Sequence, residues 1–241
     1  YETDRGRCSM EYSMSVSPRI SAVLATFLFV FAANVQAGER EVKIAENAIR
    51  VLREVMQAPD KAIPRELLDG AYAVAVVPDV VKAGFIIGGR RGSGMLAVKT
   101  NGVWSNPSFV SITGGSIGFP AGVQSSDIVL VFSSQRGVDS IVHGKFTLGA
   151  DASVAAGPVG RNASAATDGA LKAEIYSYSR ARGLFAGVAL DGSVISIDNK
   201  SNQRVYGRGV TPRRILENGV TDVPAGIVEF RDLLEEYSAR R

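Results

Sequence analysis

The chain has 241 residues, of which 46% are hydrophobic and 21% are charged, and its formal net charge at pH 7 is +3. This composition is typical of a globular protein with enough apolar residues for a core. The small positive balance argues against the dense basic surface of a nucleic-acid-binding protein. The 26 glycines lie inside apolar runs rather than in linkers, which favours a tightly packed β structure.

Residues 1–37 are predicted to form an N-terminal extension and a signal peptide. Arg19 precedes an apolar stretch over residues 20–33, and Val35-Gln36-Ala37 supplies the small residues of a signal-peptidase site. The pattern predicts that the protein is exported, to the periplasm or to the medium, with cleavage after Ala37.

An uncleaved membrane anchor is the alternative for this segment. The apolar stretch is shorter than the roughly 20 residues that span a bilayer, so export is favoured. Cys8 is the only cysteine of the chain and lies before the apolar stretch. The mature chain, residues 38–241, therefore has no cysteine for a disulfide, a thiol nucleophile or a metal site.

The first predicted element of the mature chain is an amphipathic helix over residues 39–57. Pro59 ends it, because proline disfavours helical backbone at the preceding residue, and a short helix over residues 64–68 follows. Apolar residues recur at steps of three and four and form one face of the first helix. These residues are Ala45, Ala48, Ile49, Leu52, Val55 and Met56.

The remaining elements indicate a sheet followed by helices. Short runs rich in Val, Ile and Phe, separated by Gly, Pro, Asn or Ser, predict antiparallel strands. The predicted strands are residues 71–77, 84–88, 95–99, 108–112, 117–124, 128–133, 146–156, 172–179, 184–190 and 193–197, and the further helices are residues 135–142, 201–206, 211–217 and 224–239. We therefore predict an α+β fold, a sandwich- or barrel-like antiparallel sheet system with N- and C-terminal amphipathic helices packed on it, in a single domain over residues 38–241.

One catalytic motif occurs by formal match. Gly114–Gly118 reads Gly-x-Ser-x-Gly around Ser116, and an aspartate and His143 follow in the order of a hydrolase triad. The residues after Ser116 cannot start the helix that such a nucleophile needs, and no parallel βαβ pattern surrounds them. A structural role for Ser116 is favoured, and a serine hydrolase is kept as the least favoured alternative.

Metal and nucleotide sites are not predicted either. His143 stands without the cluster of His, Cys or carboxylate ligands that zinc requires, so no metal and no cofactor are expected. Gly88–Gly94 is rich in glycine but lacks the ending of a phosphate-binding P-loop. It is interpreted as a hairpin tip that carries Arg90 and Arg91, which either grip a phosphate bidentately or are solvated turn charges.

Several short motifs occur in an order that resembles the SYLF domain family along nearly the whole mature chain. The most specific of them lies in the stretch from Tyr176 to Ser193, where hydroxyl and aromatic side chains alternate before an Arg-x-Arg step and two glycines. The motifs are Leu52-Arg53-Glu54, Val81-Lys82-Ala83-Gly84-Phe85, Arg91-Gly92-Ser93-Gly94, Trp104-Ser105-Asn106-Pro107-Ser108, Leu148-Gly149-Ala150-Asp151, Gly157-Pro158-Val159-Gly160-Arg161 and Ser179-Arg180-Ala181-Arg182-Gly183-Leu184-Phe185-Ala186-Gly187.

The resemblance implies binding to membrane lipids, notably phosphoinositides, through basic residues and an amphipathic N-terminal helix; some fungal members also bind actin. With the signal peptide, the chain resembles a bacterial exported member. We therefore predict a non-enzymatic protein that binds anionic lipid or a membrane surface, with no nucleic acid as partner. A structural or protein-interaction module of the cell envelope, with an envelope protein as partner, is the alternative.

The candidate lipid contacts are the basic residues of the first helix, the first sheet region and the Arg-x-Arg step. A net charge of +3 holds a protein on a membrane only if the charges gather on one face, since each attraction fades within a Debye length. We expect Arg90 and Arg91 to gather with the Arg-x-Arg step. The full set is Lys43, Arg50, Arg53, Lys82, Arg90, Arg91, Arg180 and Arg182.

Overall fold

The computed structural model describes residues 18–58, 62–84, 87–117, 122–143, 145–158, 173–181, 184–188 and 190–238. It divides into two compact units, residues 1–37 and residues 38–241. The division falls where the sequence predicts the end of the signal peptide; the cleavage itself stays a prediction. Of the first unit, residues 18–37 are helical.

Six helices and ten strands occur in the described residues. The helices are α1 (Pro18–Gln57), α2 (Arg65–Asp69), α3 (Gln135–His143), α4 (Asn199–Tyr206), α5 (Pro212–Leu216) and α6 (Ala225–Ser238). The strands are β1 (Ala73–Gly84), β2 (Ile87–Thr100), β3 (Val103–Trp104), β4 (Ser108–Ile117), β5 (Gly122–Phe132), β6 (Lys145–Thr147), β7 (Val154–Ala156), β8 (Ile175–Ala181), β9 (Leu184–Gly187) and β10 (Ser193–Ile197).

The predicted α+β fold is confirmed, but three of the predicted strands each contain parts of two strands. Residues 84–88 contain the end of β1 and the start of β2, and residues 117–124 contain the end of β4 and the start of β5. Residues 146–156 form two short strands, because Gly149 turns the chain with a φ of 86°. The sequence prediction treated glycines as strand ends, whereas β2 runs through four of them for 14 residues.

The predicted start of the first helix is also wrong. The sequence prediction began it at residue 39, but α1 begins at Pro18 and continues for 40 residues. The apolar stretch has good helix formers and no internal proline, and the single Gly38 costs only about 1 kcal/mol of helix stability.

The sheet is curled into a half-barrel. Its strands neighbour one another in the order β6-β10-β4-β2-β1-β5-β8-β7, and each pair in this path is antiparallel except β7 with β8. A flat path of these eight strands would place its edges roughly 33 Å apart. The edge strands β6 and β7 are joined by residues 148–153 alone, which reach at most about 25 Å. The sheet must therefore bend until its edges approach each other.

Ring contacts inside the curl confirm this bending. Phe132 of β5 and Phe146 of β6 have ring centroids 6.4 Å apart, although four strands lie between β5 and β6 in the sheet order. The link between the edges is tightly turned as well, since the Asp151 N–H donates to the Thr147 carbonyl at 2.9 Å.

Alternation along the strands gives the sheet two buried faces with separate cores. The convex face packs against α1, α2, α5 and α6 and carries residues such as Val74, Met95 and Val129. The concave face encloses a second core, with Leu96 and Leu130 from the strands and Val138 from α3. The helix α3 fills one end of the half-barrel.

The apolar face of α1 belongs to the convex core. Ala45, Ala48, Ile49, Leu52 and Val55 are all less than 5% exposed, as the three- and four-residue steps in the sequence predict. The sequence left open whether this face packs in the domain or inserts into a membrane. It is buried against the sheet.

A bulge in β1 requires glycine in the neighbouring strand. The register between β1 and β2 shifts between Val76 and Val81, and Asp79 at the bulge has a φ of 50°. A Cβ on Gly94 would lie only 2.1 Å from the Val76 carbonyl oxygen. Backbone of β1 thus occupies the space that any side chain at position 94 needs.

We expect Gly94→Ala to lower the free energy of unfolding by about 1–3 kcal/mol, the usual cost of overpacking. Gly89→Ala in the same strand is the control, because its Cβ would meet nothing closer than 3.9 Å and should change stability by less than about 0.5 kcal/mol. Urea denaturation of both variants measures the difference. Equal stabilities would show that the close approach at the bulge is wrong.

Candidate functional site

A row of residues crosses the concave face of five neighbouring strands near one end of the sheet. Gln124 of β5 pairs with Lys82 of β1, and Lys82 pairs with Arg90 of β2. Arg90 pairs with Gly114 of β4, which in turn pairs with Ser193 of β10. Directly opposed side chains on antiparallel strands lie about 5 Å apart. The register therefore brings two cations into adjacent positions.

The row borders a cleft of ≈ 510 Å³, which we call the concave cleft. Its apolar wall is continuous with the concave core, and serines and Gln124 line its polar side. The lining residues are Val80, Lys82, Arg90, Val123, Gln124, Ser125, Ser126, Ile128, Ser179, Val188 and Leu190.

The concave cleft is electropositive. Its lining contains two cations and no carboxylate. Lys82 and Arg90 are both half-buried, and burial lowers the pKa of the Arg90 guanidinium from its ordinary value. Arginine still stays protonated at neutral pH. Within the described residues, no ion pair joins Lys82 or Arg90 to an acidic side chain, so their charges are available to an anion.

Gly114 packs closely between Ser193 and Arg90. Ser193 is fully buried, and its hydroxyl has no hydrogen-bond partner in the part of the chain that the structure describes. A Cβ on Gly114 would lie 3.0 Å from the Ser193 Oγ and 3.4 Å from the Arg90 Cγ. A side chain at position 114 would therefore crowd the buried hydroxyl and the guanidinium stem.

The convex side of the same sheet end carries a third cation and exposed apolar residues. Arg91 is exposed and pairs with Val81. Val81 is 43% exposed and Val123 is 73% exposed. We call the strand segments Val81–Gly84, Ile87–Arg91, Gly114–Ile117 and Gly122–Ser125 together the distal end of the sheet.

Arg180 does not join the cations of the distal end. It lies on the convex side of β8, where it forms ion pairs with Glu54 of α1 and, at 3.9 Å, with Asp127 of β5. Asp127 in turn accepts a hydrogen bond of 3.0 Å from the Asp79 N–H at the bulge. Arg180 therefore links α1 to the sheet.

The helix arginines are also paired with carboxylates. Arg50 pairs with Glu54 at 3.2 Å, and Arg53 pairs with Glu229 of α6. Lys43 is exposed on α1, and Arg182 lies outside the described residues. Of the eight predicted contacts, the structure thus brings together Lys82 and Arg90 on one face, with Arg91 on the other face of the same strand segment.

The predicted position of Arg90 and Arg91 at a hairpin tip is wrong. Both lie inside β2, paired on each side with β1 and β4. Because adjacent strand residues point to opposite faces, they face different surroundings: the concave cleft for Arg90 and solvent for Arg91. The glycines around them allow close strand packing here rather than a turn.

The structure gives Ser116 the backbone of a strand. It lies in β4 and pairs with Gly88, whereas a hydrolase nucleophile of this motif needs a strand-to-helix turn. Among the described residues, no group of three or more His, Cys, Asp or Glu side chains is arranged to hold a metal ion. Within the same residues, no helix combines the length and the apolarity needed to cross a bilayer.

The Tyr176–Ser193 stretch combines both faces of the sheet. Tyr176 and Tyr178 point into the convex core, whereas Ser179 lines the concave cleft, as the predicted alternation requires. Burial raises the pKa of Tyr178, and its hydroxyl donates to the Pro158 carbonyl at 3.2 Å. The motif therefore builds the sheet and contributes one hydroxyl to the cleft.

Sequence reasoning missed the uncharged part of the cleft. Gln124 and Ser126 lie on β5 and Ser179 lies on β8, far away in sequence, and only the register brings these strands together on one face. The period-two pattern assigns each side chain to a face of its own strand, but it does not say which strands are neighbours.

Comparison with known proteins identifies the family. Residues 113–237, just over half of the chain, match the family described as Ysc84, Las17-binding protein actin regulator. The human SH3 domain-containing YSC84-like protein 1 is 34% identical over 203 residues, which are 81% of this chain and 59% of the human protein. LAS seventeen-binding protein 3 of Saccharomyces cerevisiae is 36% identical over 178 residues, which are 72% of this chain and 39% of the yeast protein.

The chain belongs to this family, and the resemblance to SYLF proteins is confirmed. Protein YSC84 of the same yeast is similar too, with 37% identity over 75% of this chain and 40% of its own length. The chain spans between 39% and 59% of the length of these three relatives.

The ion pairs predict that Arg180 has a structural role. Arg180→Met keeps most of the apolar stem but leaves Asp127 without its guanidinium partner. Because the Asp127 side chain is only 12% exposed, we expect the free energy of unfolding to fall by about 1–3 kcal/mol. Thermal or urea denaturation measures this loss.

Arg53→Met is the matched control, since both partners of that pair are more than 40% exposed and such pairs contribute less than about 1 kcal/mol. If Arg180→Met is as stable as the unaltered protein while binding to anionic vesicles drops, Arg180 is a lipid contact and our structural assignment fails.

Proposed function

We propose that the protein binds anionic membrane surfaces without catalysis, through the distal end of its sheet. One observation carries the proposal. Lys82, Arg90 and Arg91 lie together at this end without ion-pair partners among the described residues, next to the exposed side chains of Val81 and Val123. Cations beside exposed apolar residues suit the boundary between lipid headgroups and acyl chains.

The magnitude of the attraction fits a reversible contact. Each basic residue near an anionic surface contributes about 1 kcal/mol, so three contribute roughly 3 kcal/mol before the valines are counted. This attraction weakens with salt, because the Debye length is only about 8 Å at physiological ionic strength. Arg50, Arg53 and Arg180, which the sequence also predicted as lipid contacts, form ion pairs with carboxylates. They therefore contribute less to the attraction to a membrane.

Export is part of this proposal. We place the protein in the periplasm or the medium after cleavage following Ala37, on the strength of the signal-peptide pattern. The intact mass of exported protein, with Gly38 as its first residue, checks this. A mass that includes residues 20–33 would indicate a membrane anchor.

Protein binding is the second candidate function. The family description names a Las17-binding actin regulator, and a yeast relative is named as a LAS seventeen-binding protein. A relation to such proteins favours an interaction module, here with an envelope protein as partner. Vesicle binding by the purified protein alone distinguishes the two functions, since a pure protein-interaction module needs its partner to reach a membrane.

Reversing the three cations of the distal end tests the membrane proposal. We expect Lys82→Glu combined with Arg90→Glu and Arg91→Glu to weaken co-sedimentation with phosphatidylglycerol-containing vesicles by at least ~100-fold, because three attractions of about 1 kcal/mol each are lost and replaced by repulsion. The unaltered protein should release progressively as salt is raised.

The control reverses Arg136, Lys200 and Arg208, which are exposed and lie away from the distal end. It changes the net charge by the same amount and should keep most of the binding. If the two folded triple variants bind equally poorly, net charge rather than the distal end governs binding. If both bind as well as the unaltered protein, the three cations do not contribute. Either result shows that the proposed site is wrong.

A further inference from the structure

We propose that the concave cleft binds one single-chain anionic amphiphile, with the anionic head at Lys82 and Arg90 and the chain against Val80, Ile128 and Leu190. The inference deepens the proposed function, on which it rests for the source of the ligand. The ligand is one molecule held inside the cleft, whereas the proposed function is contact between the distal end and a membrane surface.

The shape of the half-barrel gives the cleft its position. At one end, Val138 and Ile141 of α3 pack with Phe132 and Phe146 inside the curl, so this end is filled. At the other end the concave face opens into the cleft of ≈ 510 Å³. Mouths of β-barrels are a preferred place for small ligands, and this volume lies in the usual range for such sites.

The head-binding side is built from hydrogen-bond donors. Half-buried Lys82 and Arg90 lie next to each other, and both line the cleft. Ser126 and Ser179 line the same cleft. Partly desolvated cations without an acidic partner are costly to keep, and an oxyanion in the cleft pairs with both of them.

The opposite wall explains why the ligand needs an apolar chain. Val80 and Ile128 are each 2% exposed and Leu190 is 4% exposed, and together with Val188 they line the same cleft as the two cations. A free inorganic anion leaves this wall without contacts. A carboxylate or phosphate that carries one alkyl chain fills both sides, and a volume of ≈ 510 Å³ suits one chain.

Titration calorimetry with soluble probes tests the proposal. Dodecyl phosphate, kept below its micelle concentration, should bind with one site per chain. Inorganic phosphate should bind at least ~100-fold more weakly, since each buried methylene strengthens binding about four-fold. Dodecyltrimethylammonium, which has the same chain and the opposite charge, should show no saturable binding.

Two variants of matched chemistry locate the site. Lys82→Gln combined with Arg90→Gln should weaken dodecyl phosphate binding at least ~10-fold, because both head contacts lose their charge. Arg91→Gln should leave it unchanged, because Arg91 lies in the same strand but faces away from the cleft. Circular dichroism verifies that both variants fold, and Ser126→Phe, which fills the cleft, provides an uncharged blocking variant.

Three results would overturn the proposal: equal affinity for inorganic and dodecyl phosphate, saturable binding of the ammonium amphiphile, or an equal loss in Arg91→Gln. Vesicle co-sedimentation separates this inference from the proposed function. Saturable dodecyl phosphate binding without vesicle binding leaves the cleft assigned and refutes the membrane function. Vesicle binding without dodecyl phosphate binding supports the membrane function and refutes the assignment of a ligand to the cleft.

Discussion

The short connection between the two edges of the sheet is the constraint on which the rest of the structure depends. Residues 148–153 join the edge strands β6 and β7, so the eight-strand path has to curl. Curling creates a convex face, which the helices cover, and a concave face, which α3 fills at one end only. The open end, the concave cleft and the separation of charges described above all follow from this closure.

The two faces of the sheet use their cations differently. On the convex side, Arg180 and Arg53 form ion pairs with Glu54 and Glu229 and so tie α1 to β8 and to α6. On the concave side, Lys82 and Arg90 face hydroxyls and apolar side chains, with no carboxylate in the cleft lining. Arginines that hold helices to a sheet are poor ligands for a membrane, because binding lipid means giving up an existing partner. A count of basic residues therefore overstates the proposed lipid-binding surface, which the pattern of ion pairs restricts to the distal end.

Local patterns in the sequence predicted the elements better than their assembly. The period of the apolar residues in α1 correctly identified its buried face, and the strand Ser193–Ile197 was predicted to the residue. The long strand β1 was ended before Pro78-Asp79, and β2 was cut short because its glycines resemble turn signals. Only a neighbouring backbone shows why position 94 must be glycine. The candidate site was predicted in part. Lys82 and Arg90 were named from their charge, but Gln124, Gly114 and Ser193 enter the site through pairings between distant strands, which one sequence does not specify.

The central claim is that the distal end of the half-barrel faces the membrane, and spin labels measure this most directly. Residues 38–241 contain no cysteine, so a nitroxide is attached to a single cysteine introduced at Val123, which is 73% exposed, or at Arg208, which is exposed beyond α4. On anionic vesicles, the label at position 123 should gain contact with oxygen dissolved in lipid and lose contact with a water-soluble nickel complex. The label at position 208 should stay accessible from water. A label at 123 that stays in water while the protein is bound to the vesicles, or a label at 208 that becomes protected instead, would contradict the account.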